Sequence, residues 1–507
     1  MRKNISQIKS GIILSYATLI ISNVVGILYT PVMIRLLGQS EYGLYNLVSS
    51  FVAYLGLLSF GFDNSYLRFY VQYKHTKDQQ KVASLNGMFL TVFLLIGAVA
   101  FGAGMVLCQF SDEIFGSKLT ASELLTARRL MILLVINLAL AFPNNLFKVY
   151  INANERFVFA KLLNLAKTVI NPFVMLPILF AGYKSVAMVT VTLVYSIVID
   201  TINIWYCFRK LNMKISFHHF EFSLFRSIAA FSLFVFLGEI VDEINWNVDK
   251  FLLGRYSGTV AVAVYGIAAQ LSTYFRQFST YISSVFAPRV NKIVAQGNDN
   301  GELTDLMIKV GRIQFLVLAL VATGFLFVGR AFCNLWAGRD YDGSYAIALT
   351  LILPSIIPMI QNIGISILSA RNKHKFRSVS YFFIAVINVG VSIPLCIRYG
   401  GLGCAIGTAL SLIIGNGIVI NLYYQKLGLQ MVRFWKSILS LCKGLVIPII
   451  AGIAFSALHL SYSWPVLFMF IIVYCLIYGI SMCFFGCNDY EKGLVQGMLR
   501  KLGIKLN

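Results

Sequence analysis

Charge is scarce in this sequence. Asp, Glu, Lys and Arg make up 12% of its 507 residues against 58% hydrophobic, and the mean hydropathy is +0.77. That balance excludes an ordinary soluble domain of any fold and leaves an integral membrane protein. Acids are scarcer still: 20 Asp and Glu face 42 Lys and Arg, for a net charge of +22. In a soluble chain such an excess would suggest nucleic acid as a partner. Here the basic residues gather in alternate short connections between apolar runs, which is a topology signal, and no nucleic-acid partner is implied. Long polar loops are also missing. Those around 110–123 and 330–344 hold about 15 residues, too few for a catalytic domain of their own. There is no Walker-type phosphate loop, no HExxH and no spaced Cys/His cluster, so no cofactor or metal is called for and an enzyme is disfavoured. The nine cysteines are scattered through apolar segments, giving neither a disulfide framework nor a metal site; buried, inert thiols are expected. With no nucleotide hydrolysis available, any transport would draw on an ion gradient, the membrane potential or a downstream pull on product.

What the chain has in abundance is apolar runs of about 20 residues, the length that crosses hydrocarbon as a helix. They lie near 10–34, 42–67, 82–109, 124–148, 157–181, 185–208, 226–253, 259–286, 306–330, 344–368, 376–398, 402–424, 434–458 and 463–486. The expected fold is therefore an all-α integral membrane protein with about fourteen transmembrane helices. The first run has a basic flank but is too long for a signal-peptide core and lacks a cleavage site, so it is expected to remain as a span. Basic clusters (Arg68, Lys74, Lys77 and Lys81; Arg209, Lys210, Lys214 and Arg226; Arg289, Lys292, Lys309 and Arg312; Arg371, Lys373, Lys375 and Arg377) assign alternate loops and both termini to the cytosol.

An internal repeat organises the spans. NERFVFAKLLNLAKTVINPFVMLPILFAGY, from 154, aligns with KHKFRSVSYFFIAVINVGVSIPLCIRYGG, from 373, placing Ile170-Asn171 on Ile387-Asn388. Nearly the same offset brings YCFRKL at 206 onto YYQKL at 423 and Pro143 onto Pro358. An even number of spans per copy makes the copies parallel, so two six-helix lobes are expected around a central cavity, followed by two C-terminal helices. The expected boundaries are 1–208 for the N-terminal lobe, 209–225 for a cytosolic linker, 226–425 for the C-terminal lobe and 426–507 for the last two spans and tail.

One span carries charge where lipid would forbid it. FLGEIVDEINWNVDKFLLG, from 236 to 254, holds Glu239, Asp242, Glu243, Asp249 and Lys250. At about 100° per residue, all of them and Trp246 fall within about 80° of Glu239, while Leu237, Ile240, Val241, Ile244, Val248 and Phe251 take the opposite arc. Buried carboxylates cost several kcal/mol unless paired, hydrated or protonated, and they usually mark a wet route. Glu239, Asp242 and Glu243 are thus candidates for ion or proton coupling, and Glu239 and Trp246 for cavity lining. The competing reading is a helix–helix clasp, in which Lys250 and Trp246 neutralise and pack the acids; for Asp249 and Lys250 it is the favoured one. Among cations within spans, Lys167 and Arg276 sit deepest and could hold an anionic headgroup such as a pyrophosphate. Lys148, Lys161 and Lys443 better suit snorkelling to the interface, and Asp200 and the pair Asp63 and Arg68 suit local contacts that fix helix packing.

The opening SGIILSYATLIISNVVGILYTPVMIRLLGQSEYGLYNLVSSFVAYLGLLSFGFDNSYLRF, VDKFLLG with the following VYGIAAQLS, and APRVNKIVAQG resemble the Wzx-like oligosaccharide flippases of the multidrug/oligosaccharidyl-lipid/polysaccharide (MATE-like) exporter superfamily. The resemblance covers essentially the whole chain. It implies two six-helix lobes and the movement of a polyprenyl-diphosphate-linked oligosaccharide across a bacterial plasma membrane, for capsule, O-antigen or exopolysaccharide assembly. A cationic lumen is carried over to Lys167 and Arg276, and the lipid bilayer, a polysaccharide polymerase and glycosyltransferases are the implied partners. The chain has no charge between Lys9 and Arg35, where the lipid II flippase branch would have arginines and the drug-exporting branch an acid. The alternatives are an ion-coupled multidrug or metabolite antiporter, a membrane glycosyltransferase or polymerase, and a passive scaffold, for which a charged stripe at mid-membrane would be a costly feature.

Overall fold

Inside a bilayer the backbone has no water to bond with, so each segment must satisfy its own peptide groups, and helices result. The computed structural model describes residues 2–75, 78–217, 222–297, 299–371, 373–457 and 463–501, and no strand occurs among them. The helices are α1 (Arg2–Leu37), α2 (Gln39–Gly56), α3 (Phe62–His75), α4 (Gln79–Gln109), α5 (Ser111–Phe115), α6 (Ala121–Ala153), α7 (Phe157–Phe180), α8 (Ser185–Arg209), α9 (Phe222–Ser257), α10 (Thr259–Ala295), α11 (Asn300–Trp336), α12 (Gly343–Ile360), α13 (Ile363–Ala370), α14 (His374–Leu412), α15 (Ile420–Lys426), α16 (Met431–Leu439), α17 (Val446–Ala457), α18 (Trp464–Ser481) and α19 (Asp489–Lys501). Ten helical segments among the described residues are long and apolar enough to cross a membrane. Their outer faces leave large side chains uncovered, such as Phe173 at 74% and Phe484 at 76% exposure. Surface of that kind aggregates in water but is solvated by acyl chains. The protein is a multi-pass, all-helical membrane protein.

One of the ten segments runs from Phe376 to Lys426. Its 51 residues would span about 75 Å as a straight helix, more than twice the hydrocarbon thickness. The chain turns back instead at Gly400, whose φ of 55° and ψ of −132° suit glycine alone. Beyond the turn the two arms lie so close that a Cβ on Gly403 would stand 1.9 Å from the Leu395 carbonyl oxygen. Asn388 donates across the hairpin to Thr408 at 3.5 Å. The expected spans 376–398 and 402–424 are the two arms.

The expected continuous helix over 42–67 is broken. After α2 a single 3-10 turn, Leu57–Ser59, leads to Phe60 and Gly61, both with positive φ (49° and 64°), and α3 begins at Phe62. The cysteines also depart from expectation. All nine are free, and five are buried, but Cys475 is exposed and Cys442, Cys483 and Cys487 are half-buried.

The chain divides into two compact units, Met1–Ala263 and Val264–Asn507. In the first, α4 packs on α6 and α6 on α8. Small residues permit this: a Cβ on Gly97 would meet the Ala139 carbonyl oxygen at 2.7 Å. At one end an aromatic core of Tyr66, Tyr70, Phe89, Phe93 and Tyr150 closes over the buried Met213. The segment after α8 is strapped across this end, with the Ser216 amide donating to the Ala83 carbonyl at 3.0 Å and Asn86 Nδ2 to the Lys214 carbonyl at 2.8 Å.

In the second unit α11 packs against α12, α16, α17 and α18. Arg312, 5% exposed, ties α11 to α16, to α19 and to the turns that precede α17 and follow α18. Its Nε and Nη2 bond Glu491 of α19 at 2.5 and 2.8 Å, its Nη1 bonds the Ser437 carbonyl at 2.7 Å and Ser440 Oγ at 2.9 Å, and Nη2 also reaches the Gly486 carbonyl at 3.1 Å. This residue, read from sequence as a topology-setting charge, is a buried ion-pair partner.

Candidate functional site

Helix α9, which carries the charged stripe, belongs to the first unit and packs against α2, α3 and the turn between them. Ser59 of that turn donates to Glu239 Oε2 at 3.4 Å. Further along, Lys250 Nζ donates to Asn247 Oδ1 at 3.4 Å and Asn247 Nδ2 to Glu243 Oε1 at 2.6 Å. A cation thus reaches an acid through an amide within two turns of one helix. Asp249 is buried, at 1% exposure, while Glu239, Glu243 and Trp246 are half-buried. Helices α2 and α9 come close where Gly254 faces Leu47; a Cβ there would lie 2.4 Å from Leu47 Cδ1. The Asp242 side chain lies outside the described residues.

The cationic candidates fall in different units. Arg276 is in the second, half-buried on α10, with Nη2 donating to Thr273 Oγ1 at 3.0 Å. Lys167 is in the first and lines a cavity of about 450 Å³ enclosed by α6, α7 and α8. Each helix presents one polar flank to it. From α6 come Lys148 and Asn152, one turn apart; from α7 Lys161, Asn164 and Lys167; from α8 Asp200 and Asn203. Lys148 Nζ lies 3.3 Å from Asp200 Oδ1, an ion pair between α6 and α8.

This grouping adds to the reading of Lys148 and Lys161, expected from sequence to snorkel to the interface: both line the cavity that holds Lys167. Asp200 makes the kind of helix-packing pair expected of it, with Lys148. Three ammonium groups face one carboxylate, and the carboxylate is already paired, so the cavity carries an excess of positive charge dressed with amides. The available signal was the one-face helical spacing of Asn137, Ala141, Lys148 and Asn152 along α6, at intervals of four, seven and four, matched by Ser196, Asp200 and Asn203 on α8 at four and three. Chemically the cavity suits an anion whose oxygens accept from lysine and asparagine.

A family model, that of the polysaccharide biosynthesis proteins, matches residues 8–294, more than half the chain. The chain belongs to the polysaccharide biosynthesis protein family. A candidate O-antigen transporter of Shigella flexneri is 23% identical over 399 residues, covering 78% of this chain and 92% of that protein. Among solved structures, this family member shares its fold with the lipid II flippase MurJ in an inward closed conformation, at a TM-score of 0.73 and 15% identity over 97% of this chain and 99% of the other. It also resembles an inward-facing multidrug resistance MATE family transporter of the MOP superfamily, at a TM-score of 0.65 and 14% identity over 82% and 95% of the two chains. Low identity makes these two likenesses statements about fold. They agree with the exporter architecture expected from the repeat and from the resemblance read in the sequence.

Proposed function

We propose that this protein is a flippase that carries a polyprenyl-diphosphate-linked oligosaccharide from the cytosolic to the outer leaflet of a bacterial plasma membrane by alternating access. Family membership and the O-antigen transporter relative support the class of substrate. The observation that carries the reading is the convergence of Lys148, Lys161 and Lys167 on one amide-lined cavity. A diphosphate carries charge and acceptor oxygens that such a site can neutralise, while the glycan's hydroxyls can exchange bonds with asparagine amides. With both termini in the cytosol, as the basic loops suggest, α7 rises from the inner surface and places Lys167 about 15 Å along its axis, so the lysines would meet the headgroup from the cytosolic side. Arg276 would serve from the second lobe, 226–425 in the repeat, and Glu239, Asp242 or Glu243 would take up the coupling ion. A polymerase and glycosyltransferases are the expected working partners.

The test replaces Lys148, Lys161 and Lys167 singly with Gln and with Arg in cells lacking the native copy. A hydrogen bond to a charged group contributes about 1.5–3 kcal/mol, so each Gln variant should weaken headgroup binding roughly tenfold or more. Surface polysaccharide should fall, lipid-linked intermediate should accumulate on the cytosolic leaflet, and protein level should stay normal; Arg should rescue in part. Full polymer in all three Gln variants would remove the cavity from the mechanism. If loss of the protein instead changed drug resistance and left envelope sugar intact, the antiporter reading would replace this one.

A further inference from the structure

A second cleft in the first unit has no part in that proposal. It encloses about 610 Å³ where α3, α4 and α6 meet the strap after α8, and Tyr70, Tyr73, Lys74, Asp78, Tyr150 and Lys214 are among its lining residues. The one carboxylate in its lining, Asp78, is engaged within the protein, and so is Asn154, which holds Tyr70 and Lys74. Asn154 Oδ1 receives both the Tyr70 hydroxyl, at 2.9 Å, and Lys74 Nζ, at 3.0 Å. Asp78 Oδ1 caps α4, receiving the amides of Gln80 and Lys81 at 3.1 and 3.0 Å, and its Oδ2 lies 3.7 Å from Lys81 Nζ. The Lys214 carbonyl is bonded by Asn86. An ammonium has three protons to donate and no lone pair to accept with, so Lys74 keeps donors beyond its bond to Asn154, and Lys214 adds a second cation. The strap that carries Lys214 is fixed at both sides, by buried Met213 and by the Ser216 amide on Ala83, with Asn212 held at a φ of 49°. The backbone that carries Lys214 is therefore in place before any ligand binds.

We propose that this cleft binds a phosphate group, because it sets two lysines against one carboxylate that already accepts from two backbone amides and Lys81, and adds tyrosine hydroxyls and the Gln79 and Asn212 amides as further donors. The group is either that of an anionic lipid head at the membrane surface or a soluble phosphate. The purified full chain in neutral detergent is titrated with dioctanoyl phosphatidylglycerol in one arm and inorganic phosphate in the other, with native mass spectra and tyrosine fluorescence as readouts. Saturable binding is expected in at least one arm: the lipid arm alone identifies a headgroup site, and both arms identify a site for phosphate itself. Lys74→Gln and Lys214→Gln should each weaken it roughly tenfold. Both side chains are exposed, so the variants should keep the parent's thermal midpoint without ligand. No saturable binding in either arm, or binding unchanged in both variants, overturns the assignment.

Discussion

Glu491→Ala is the sharpest probe of how the second unit is held together. Glu491 and Arg312 are 3% and 5% exposed, and the carboxylate takes two of the guanidinium's bonds, at 2.5 and 2.8 Å. Removing one partner of a buried ion pair costs about 3–5 kcal/mol, because the other charge stays desolvated and uncompensated. Here Arg312 would keep the Ser437 and Gly486 carbonyls and Ser440, which puts the expected loss near the lower figure, about 3 kcal/mol. The loss should appear first as release of α19, since Glu491 also anchors the start of that helix by accepting from the Asn488 amide at 2.9 Å. At 1.4 kcal/mol per tenfold change, about 3 kcal/mol raises the opened population on the order of a hundredfold. Native-state trypsin cleavage after Lys492, under conditions where opening is fast relative to cutting, reads that population directly. Arg312→Met combined with Glu491→Leu should recover most of the loss, because an apolar pair of similar volume needs no desolvation. Cleavage of Glu491→Ala at the parent rate would refute the reasoning, and so would a double variant as labile as the single one.

Gly43→Ala should lower both folded yield and thermal midpoint, by at least about 1–3 kcal/mol, because the new Cβ would stand 1.9 Å from the Thr259 carbonyl oxygen and neither backbone can yield. Gly56→Ala, at helical φ −62° with open space around it, is the control expected to be neutral or stabilising; equal loss in both would discredit the close-approach argument. Asp342 carries a pH prediction: Arg330 donates to its two oxygens at 2.8 and 2.7 Å and holds the carboxyl below its usual range. Its stabilising contribution is complete above the unfolded-state value of about 3.9 and is lost as pH falls through the lowered native value. The thermal midpoint of Asp342→Asn should therefore decline less steeply on acidification than the parent's, and identical acid limbs would mean that this exposed pair contributes nothing.

The apolar runs carried most of the fold, since the bilayer allows them little besides helix, and the Tyr399-Gly400-Gly401 turn between two of them was visible as a break in the pattern. Breaks without a composition signal were not. Phe60 and Gly61 sit in an apolar stretch, and only the left-handed backbone of both residues interrupts the span there. The polar arc of α9 was legible because its residues repeat on one helix. Long-range partners were not: Arg312 and Glu491 are 179 residues apart, and nothing local distinguishes Arg312 from the loop lysines around it. The same limit hid the lysine cavity, whose three flanks come from three helices and become one site only when those helices pack.

Helix α9 is tied to the first unit just beyond its end, where Thr259 Oγ1 donates to Glu123 Oε1 at 2.7 Å, within the same cluster as Ser40. In this conformation Glu239 of α9 stands beside the turn that follows α2, where Ser59 reaches it. A change in the charge of Glu239 would be felt first at that contact, because a hydroxyl donates more strongly to a carboxylate than to a neutral carboxyl.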